Sequence, residues 1–373
     1  MGTTATWRGR QSRSRRLRSA APSFRVVDFF SGCGGTSAGL QDAGGRIVLG
    51  IDYDHDAGET FQTNFPSAGF LEEDINQLSE DAIEPFLLED ARSPLIFCGC
   101  APCQPFSQQN AQRGRADDRA DLLEHFARFV RSYLPDVVLV ENVPGIRDYG
   151  ERSPLDRFVA ILRRHGYRCS VQRLDARDYG VPQRRRRLFL LASRIDTLHF
   201  PLATHGPNRE KSFVTVNEVI GDLPPIAAGE RHASIANHSA RHLSPVNLAR
   251  IQATPPEGGR LDWPPSLRLE CHSNSDGYSD VYGRLRGDRP ASAMTTRCVS
   301  LSNGRFGHPS QHRALSAREA ARIQTFDDNF VFCGELTSVA RQIGNAVPVA
   351  VARAVGCSIA EHFSAHFGAK AHA

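Results

Sequence analysis

Up to about residue 195 the chain alternates short apolar segments with amphipathic ones, and that alternation leaves few folds open to it. RVVDFF (25–30) reads as a buried strand, ended by the turn Ser31-Gly32-Cys33-Gly34-Gly35. A helix is expected from Thr36 to Ala43, then a second strand, RIVLGI (46–51), closing on Asp52. Further strands are expected at Leu95–Cys98, Val137–Val140, Arg168–Leu174 and Arg187–Ala192, with helices such as Asp121–Tyr133 and Leu155–His165 between them. This pattern predicts an α/β fold: a doubly wound, mostly parallel sheet with its site at the carboxyl ends of the strands. After Phe200 the character changes. Residues 201–300 are rich in Pro, Gly, His, Asn and Ser and read as a small irregular inserted domain, and helical periodicity returns at Ser316–Phe326 and Leu336–Phe363. The expected organisation is a tail (1–24), a first catalytic part (25–200), the insert (201–300) and a second catalytic part (301–373) whose helices pack back on the first.

A chain of 373 residues buries enough surface to hold a core without disulfides or metal. The net charge of +4 misleads, because residues 1–27 carry seven arginines and no acid; the other 346 residues hold 38 basic and 41 acidic side chains, a net of −3. The tail reads as a disordered phosphate-contacting segment or as a plain solvated leader. Arginine outnumbers lysine 43 to two, which reads mainly as compositional bias. Nine scattered cysteines and no apolar leader point to free thiols in a reducing, cytoplasmic compartment. Uninterrupted apolar runs reach about five residues, whereas a membrane span needs ~20.

Four stretches carry chemistry. In DFFSGCGGTSAGL (28–40), glycines at a strand end let a ligand approach the backbone, and Asp52 at the end of the next strand suits ribose hydroxyls. The turn is not G-x-G-x-x-G, so a nucleoside without a pyrophosphate fits better than NAD; a merely structural turn also stays open. In CGCAPCQPFS (98–107), Cys103 stands between two prolines just after a strand. It reads as a nucleophile, as half of a Cys100–Cys103 metal or redox pair, or as an inert core thiol. Glu141, ending the apolar run VVLV, reads as a carboxyl kept protonated by desolvation or as an ordinary cap. In GVPQRRRR (180–187), strand alternation would put Arg185 and Arg187 on one face, to hold an anion or orient the acid and thiol; a solvated charge cluster is the alternative.

These parts, in this order, resemble the DNA (cytosine-5)-methyltransferase family from about residue 25 to 360. DFFSGCGGTSAGL, Asp52-Tyr53, Asp74-Ile75, PCQPFS, ENV (141–143), GVPQRRRR, HRALSAREAARIQTF (312–326) and QIGNAVP (342–348) are similar to its successive motifs. The resemblance implies a bacterial-type Rossmann-like methyltransferase that uses S-adenosyl-L-methionine, with the insert as target-recognition domain. It assigns Cys103 as the thiolate that adds to carbon 6 of a flipped-out cytosine, Glu141 to N3 and the exocyclic amine, Arg185 to the cytosine carbonyl oxygen, and Arg187 to their support. Phe30, Gly32, Gly34, Asp52, Tyr53, Asp74, Ile75 and Asn345 would hold the cofactor, and Pro102, Gln104, Ser107 and Asn142 the substrate. Tyr53 stands where many members have Trp, and Arg119-Ala120-Asp121-Leu122 replaces the usual Arg-Gly-x-Leu. The implied partner is double-stranded DNA, met by a nucleoid-associated monomer in a restriction-modification or host-marking role, with any companion restriction endonuclease acting separately. His232, His238, His242, Cys271 and His272 match no common zinc finger, and no metal is expected. The competing readings are an RNA cytosine methyltransferase and a catalytically silent DNA-binding relative; a nicotinamide oxidoreductase stands furthest off.

Overall fold

The computed structural model describes residues 24–101, 122–147, 153–270 and 280–367. The described chain divides into two compact units, one formed by 24–179, 186–203 and 347–367, the other by 180–185 and 204–346.

The first unit is built on a seven-stranded sheet. In chain order its elements are β1 (Phe24–Phe29), α1 (Gly35–Asp42), β2 (Gly45–Asp52), α2 (His55–Asn64), β3 (Gly69–Glu72), β4 (Leu95–Gly99), α3 (Leu122–Tyr133), β5 (Val137–Asn142), α4 (Pro154–Arg164) and β6 (Arg168–Asp175). β7 (Gln183–Arg184) belongs to the second unit; β8 (Arg186–Ser193) returns to the first. The strand order is β3-β2-β1-β4-β5-β8-β6. Pairing is parallel from β3 to β5, while β8 runs antiparallel to both β5 and β6. The sheet is thus doubly wound and mostly parallel. Phe29 meets Phe97, Phe126 and Phe129 at ring separations of 4.9–5.2 Å, so odd-numbered β1 residues face α3. Asp28 faces the other way, toward α1.

α3 and α4 were legible because their apolar residues recur at helical spacing: Leu122, Leu123, Phe126, Phe129 and Val130 are buried on one, Leu155, Phe158 and Leu162 on the other. β3 and α2 escape a sequence reading. β3 is a four-residue edge strand with no fully buried position, and α2 is mostly polar apart from Phe61, although Asp54 caps its first turn by accepting from Ala57 N–H at 3.3 Å.

The second unit has little regular structure: β7 pairs with β9 (Ala291–Ser292), and the helices are α5 (Val216–Ile220), α6 (Pro245–Ala253), α7 (Ala317–Ile323) and α8 (Leu336–Asn345). This unit continues to 346, whereas the insert was expected to end at residue 300. The reason lies in α7 and its approach. Arg313 donates to the carbonyl of Ile226, Arg318 to that of Ala236 and Arg322 to that of Val219, all at 2.9–3.0 Å, so these residues cannot be parted from the segment before them. Gln183 joins the same unit by donating to the carbonyl of Ile323 and accepting from Met294 N–H. A small apolar core of Ile251, Trp263, Tyr282, Leu301 and Ala314 sits within it, with the Arg250 guanidinium 5.3 Å from the Trp263 ring centre.

Of the C-terminal helices, α9 (Val349–Phe367) belongs to the first unit, where it packs against α1, and α7 and α8 belong to the second. The stretch Leu336–Phe367 is long and apolar enough to cross a membrane by length and composition, but 61% of its most apolar window is buried in the fold, as a core helix is. No disulfide joins any two of the seven described cysteines.

Candidate active site

The parallel strands end along one edge of the sheet, and that edge gathers the chemistry. From β3 to β5 their last residues are Glu72, Asp52, Phe29, Gly99 and Asn142. Because β8 is antiparallel, its first residues, Arg186 and Arg187, emerge at the same edge. Neighbouring strands lie ~4.8 Å apart, so the ends of β2 and β5 are separated by roughly 14 Å.

At the β1 end the chain turns through Phe30 and Gly32, both with left-handed φ (56° and 51°). A Cβ on Gly32 would meet nothing within 4 Å, so the turn has open space beside it. Asp52 locks this turn: Oδ2 accepts from Gly32 N–H at 2.8 Å and Oδ1 from Asp54 N–H at 3.0 Å. Burial raises the Asp52 carboxyl above its ordinary range, against the pull of these amides. A small cleft opens here, lined by Phe30, Ile51, Asp52, Tyr53, Glu73, Asp74, Ile75 and Leu122. Five of the eight expected cofactor residues therefore line one cleft: Phe30, Asp52, Tyr53, Asp74 and Ile75. Gly32 contributes the amide bound by Asp52, and Gly34 (φ 91°) is the N-cap of α1. Asn345 ends α8, exposed, in the second unit. The Tyr53 ring is 67% exposed, free to be covered. Asp74 uses Oδ1 to accept from Asn76 N–H at 2.9 Å. Ile51, Glu73 and Leu122 were missed by the sequence reading as cleft residues. Glu73 adjoins Asp74 in the motif and could have been found there; Leu122 comes into the cleft only by folding.

One strand over from β1, β4 runs through Cys98 and Gly99 to Cys100 and Ala101. Cys98 is fully buried, and Cys100 lies 3.4 Å from Thr36 Oγ1. Burial pushes both thiols well above their usual range, so neither is a ready nucleophile. Pro102, Cys103, Gln104 and Ser107 lie outside the described residues, as do Arg119-Ala120-Asp121, Cys271 and His272.

Glu141 is buried as expected, but it has a cation for company: Arg187 Nε stands 3.0 Å from its Oε1. Asn142, 2% exposed and expected to meet substrate, is occupied by the backbone instead. It donates to the carbonyl of Ala101 at 3.3 Å and accepts from Val143 N–H at 2.9 Å, tying the end of β5 to the end of β4.

The four arginines do not alternate along one strand. β7 stops at Arg184 and β8 starts at Arg186, so Arg185 falls at a break and the shared face expected for Arg185 and Arg187 does not form. Arg185 is 3% exposed and donates to the carbonyls of Met294 (2.9 Å) and Gly344 (3.1 Å), Arg186 donates to Asp175, and Arg187 pairs with Glu141. Of the histidines weighed for zinc, His238 is fully buried between Ser316 Oγ (2.9 Å) and the carbonyl of Pro224 (2.8 Å), and His232 Nδ1 accepts from Ser234 and Ile235 N–H. No cluster with metal-ligand geometry occurs among the described residues.

Comparison with known proteins agrees with this arrangement. The sequence profile of the C-5 cytosine-specific DNA methylases matches residues 24–361. The chain is 38% identical to the type II methylase M.HgiDII of Herpetosiphon aurantiacus, over 90% of this chain and 94% of that one. It is 32% identical to the type II methyltransferase M1.HphI of Haemophilus parahaemolyticus, over 89% and 86%. In fold it is similar to an E. coli prophage protein described as a DNA modification methyltransferase, with a TM-score of 0.70 at 23% identity over 90% and 98% of the two chains. A match spanning both units, with the Asp52 cleft and the Glu141–Arg187 pair on one sheet edge, has a single family behind it: the chain belongs to the C-5 cytosine-specific DNA methylases and is a DNA (cytosine-5)-methyltransferase.

Proposed function

We propose that the protein methylates carbon 5 of a flipped-out cytosine in a short specific sequence of duplex DNA, with S-adenosyl-L-methionine as donor and Cys103 as nucleophile. Its role is that of the modification enzyme of a type II system, acting as a monomer in the cytoplasm, separately from any endonuclease. The carrying observation is the buried Glu141–Arg187 pair at the sheet edge, one strand over from the segment of β4 that leads into Pro102–Ser107.

The cleft suits the donor. Phe30, Ile51, Ile75 and Leu122 offer apolar walls to adenine, and Tyr53 an open ring to stack on it. Each Asp52 oxygen has a backbone amide and a further lone pair, which suits a pair of vicinal ribose hydroxyls. Asp74, with Glu73 beside it, supplies an acceptor for the adenine amine; Gly32 and Gly34 keep the turn open to the methionine end, and Asn345 completes the set. When bound, S-adenosylmethionine supplies an electrophilic methyl group.

The chain's own residues make the cytosine reactive. Carbon 5 is too weak a nucleophile unaided, so the Cys103 thiolate adds to carbon 6 while Glu141 contacts N3 and the exocyclic amine and delivers a proton to N3. Arg187 holds Glu141 in place, and Arg185 neutralises charge at the cytosine carbonyl oxygen. Carbon 5, made electron-rich in this way, takes up the methyl group; its proton then passes to solvent, N3 returns its proton to Glu141 and the thiolate leaves carbon 6, which restores the enzyme. Pro102, Gln104 and Ser107 shape the loop over the base, whose extrusion from the duplex costs a few kcal/mol.

Bisulfite sequencing of unmethylated genomic DNA incubated with the protein and S-adenosylmethionine tests this. Protected cytosines confined to one short motif, and none with Cys103→Ser, are expected. Complete conversion by a wild-type protein that still binds DNA would overturn the reading in favour of RNA methylation or a silent binder.

A further inference from the structure

One buried acid plays no part in the mechanism above. Asp28 is 0% exposed in β1; its Oδ2 accepts from the Ser37 hydroxyl at 2.6 Å, and Oδ1 has no hydrogen-bond partner among the described residues. A carboxylate in such a place costs stability that a neutral group of the same shape would not. Its location suggests what offsets the cost. α1 starts from Gly34, whose φ of 91° and whose nearness to Phe65 (a Cβ would lie 2.4 Å from Cε2) exclude any capping side chain. The N–H that a cap residue would take three positions on is that of Ser37. Asp28 reaches this turn from the neighbouring strand by accepting from the Ser37 hydroxyl, and the Ser37 amide adds to what favours its charged form. Between Asp28 and α1 lies the turn that carries Phe30 into the cleft and offers Gly32 N–H to Asp52.

We propose that Asp28 is a positioning residue: by capping α1 from β1 it sets the orientation of the Phe30–Gly34 turn, and so the affinity for the adenosyl cofactor, at a cost in stability. This rests on the cofactor reading of the cleft. The titratable groups facing Asp28 are Asp52 from β2, Cys33 from the turn, and Cys98 and Cys100 from β4. Burial holds Cys33 up at about 12 and the other two thiols well above their usual range, so none ionises near neutrality. Asp28 itself is raised to about 7, by burial first, with the Asp52 charge adding and the Ser37 hydrogen bonds opposing. The ionised form is the stronger acceptor, so cofactor affinity rises from pH 6 to 8.

The test uses full-length wild type, Asp28→Asn and Ser37→Ala, with calorimetric binding of S-adenosylmethionine and S-adenosylhomocysteine in the absence of DNA, and thermal unfolding at pH 6 and 8. Asp28→Asn is expected to bind both probes about tenfold more weakly, the scale of one charge-assisted hydrogen bond. It should lose most of the pH dependence, with the remainder due to Asp52, and melt at or above wild type at pH 8. KM for the cofactor should rise with kcat nearly unchanged, and Ser37→Ala should move affinity in the same direction. Wild-type affinity in a folded Asp28→Asn protein would overturn the proposal. So would parallel loss of stability and affinity in both variants, the mark of a purely structural role. Failure of the wild type to bind either probe would instead sink the cofactor reading, and this proposal with it.

Discussion

Glu141 and Arg187 show how one contact changes the meaning of a residue. The carboxylate is 8% exposed and the guanidinium 20%, so each offsets part of the other's lost hydration. Arg187→Ala leaves a buried acid without its cation, and urea unfolding should show a loss of about 3 kcal/mol, the scale for breaking one side of a buried pair. Asp52 is a second single-residue device. Its two oxygens hold two backbone amides, and an asparagine amide keeps only one acceptor. Asp52→Asn should therefore weaken S-adenosylmethionine binding by about tenfold or more, about 1.4 kcal/mol, measured by calorimetry on a protein whose circular dichroism is unchanged. Unaltered affinity would remove Asp52 from the cofactor site.

Elements are held together differently in the two units. In the first, α1 and α9 approach closely because Gly39 stands at their contact: a Cβ there would lie 2.5 Å from Ala352 Cβ and from the Val349 carbonyl oxygen. Gly39→Ala should force the helices apart and cost about 1–3 kcal/mol, seen as a lower midpoint in denaturant. In the second, arginine forks do work that strands do elsewhere. Arg284, 2% exposed, donates to the carbonyls of Ile251, Thr254, His308 and Gln311 and to His312 Nδ1. The excess of 43 arginines over two lysines, read from composition as bias, has a structural use here. A lysine has three donors on one compact head and cannot span those acceptors. Arg284→Lys should cost about 2–4 kcal/mol through stranded buried carbonyls. Hydrogen exchange should locate the loss at 251–254 and 308–312, and uniform loss across the chain would argue against it.

At the scale of the whole molecule, two buried groups, one in each unit, respond to pH with opposite sign. His308, in the second, is lowered to about 4, by burial first, with the Arg313 and Arg284 charges adding and Glu319 opposing. Its unfolded value is near 6.5, so the unfolded chain takes up the proton first. Stability is complete above pH 6.5 and falls by about 1.4 kcal/mol per unit as pH drops from 6.5 toward 4. Asp28, in the first unit, is raised instead, so its contribution falls as pH rises from 3.8 through about 7. Urea titrations at pH 7 and 5 should show His308→Gln losing about 2 kcal/mol less than wild type over that interval. Equal losses would assign the acid limb to other groups.

What the sequence determined by itself is the local and the periodic. The strand–turn–helix at 24–42, the apolar stripes of α3 and α4 and the ordered motifs are all properties of neighbours in the chain, where a spacing of two or 3.6 residues declares which face is buried. That was enough for the doubly wound sheet, the family and most of the cleft. Tertiary structure alone decided who meets whom. The antiparallel entry of β8 brings Arg187 to Glu141, and a break between β7 and β8 takes Arg185 out of the alternation. Asn142 goes to the Ala101 carbonyl, and α7 joins the segment before it through three buried arginines. These partners lie 41 to 103 residues apart, and no periodicity spans such a distance. Buried polar groups must find donors and acceptors wherever the fold supplies them, and only the fold says where that is.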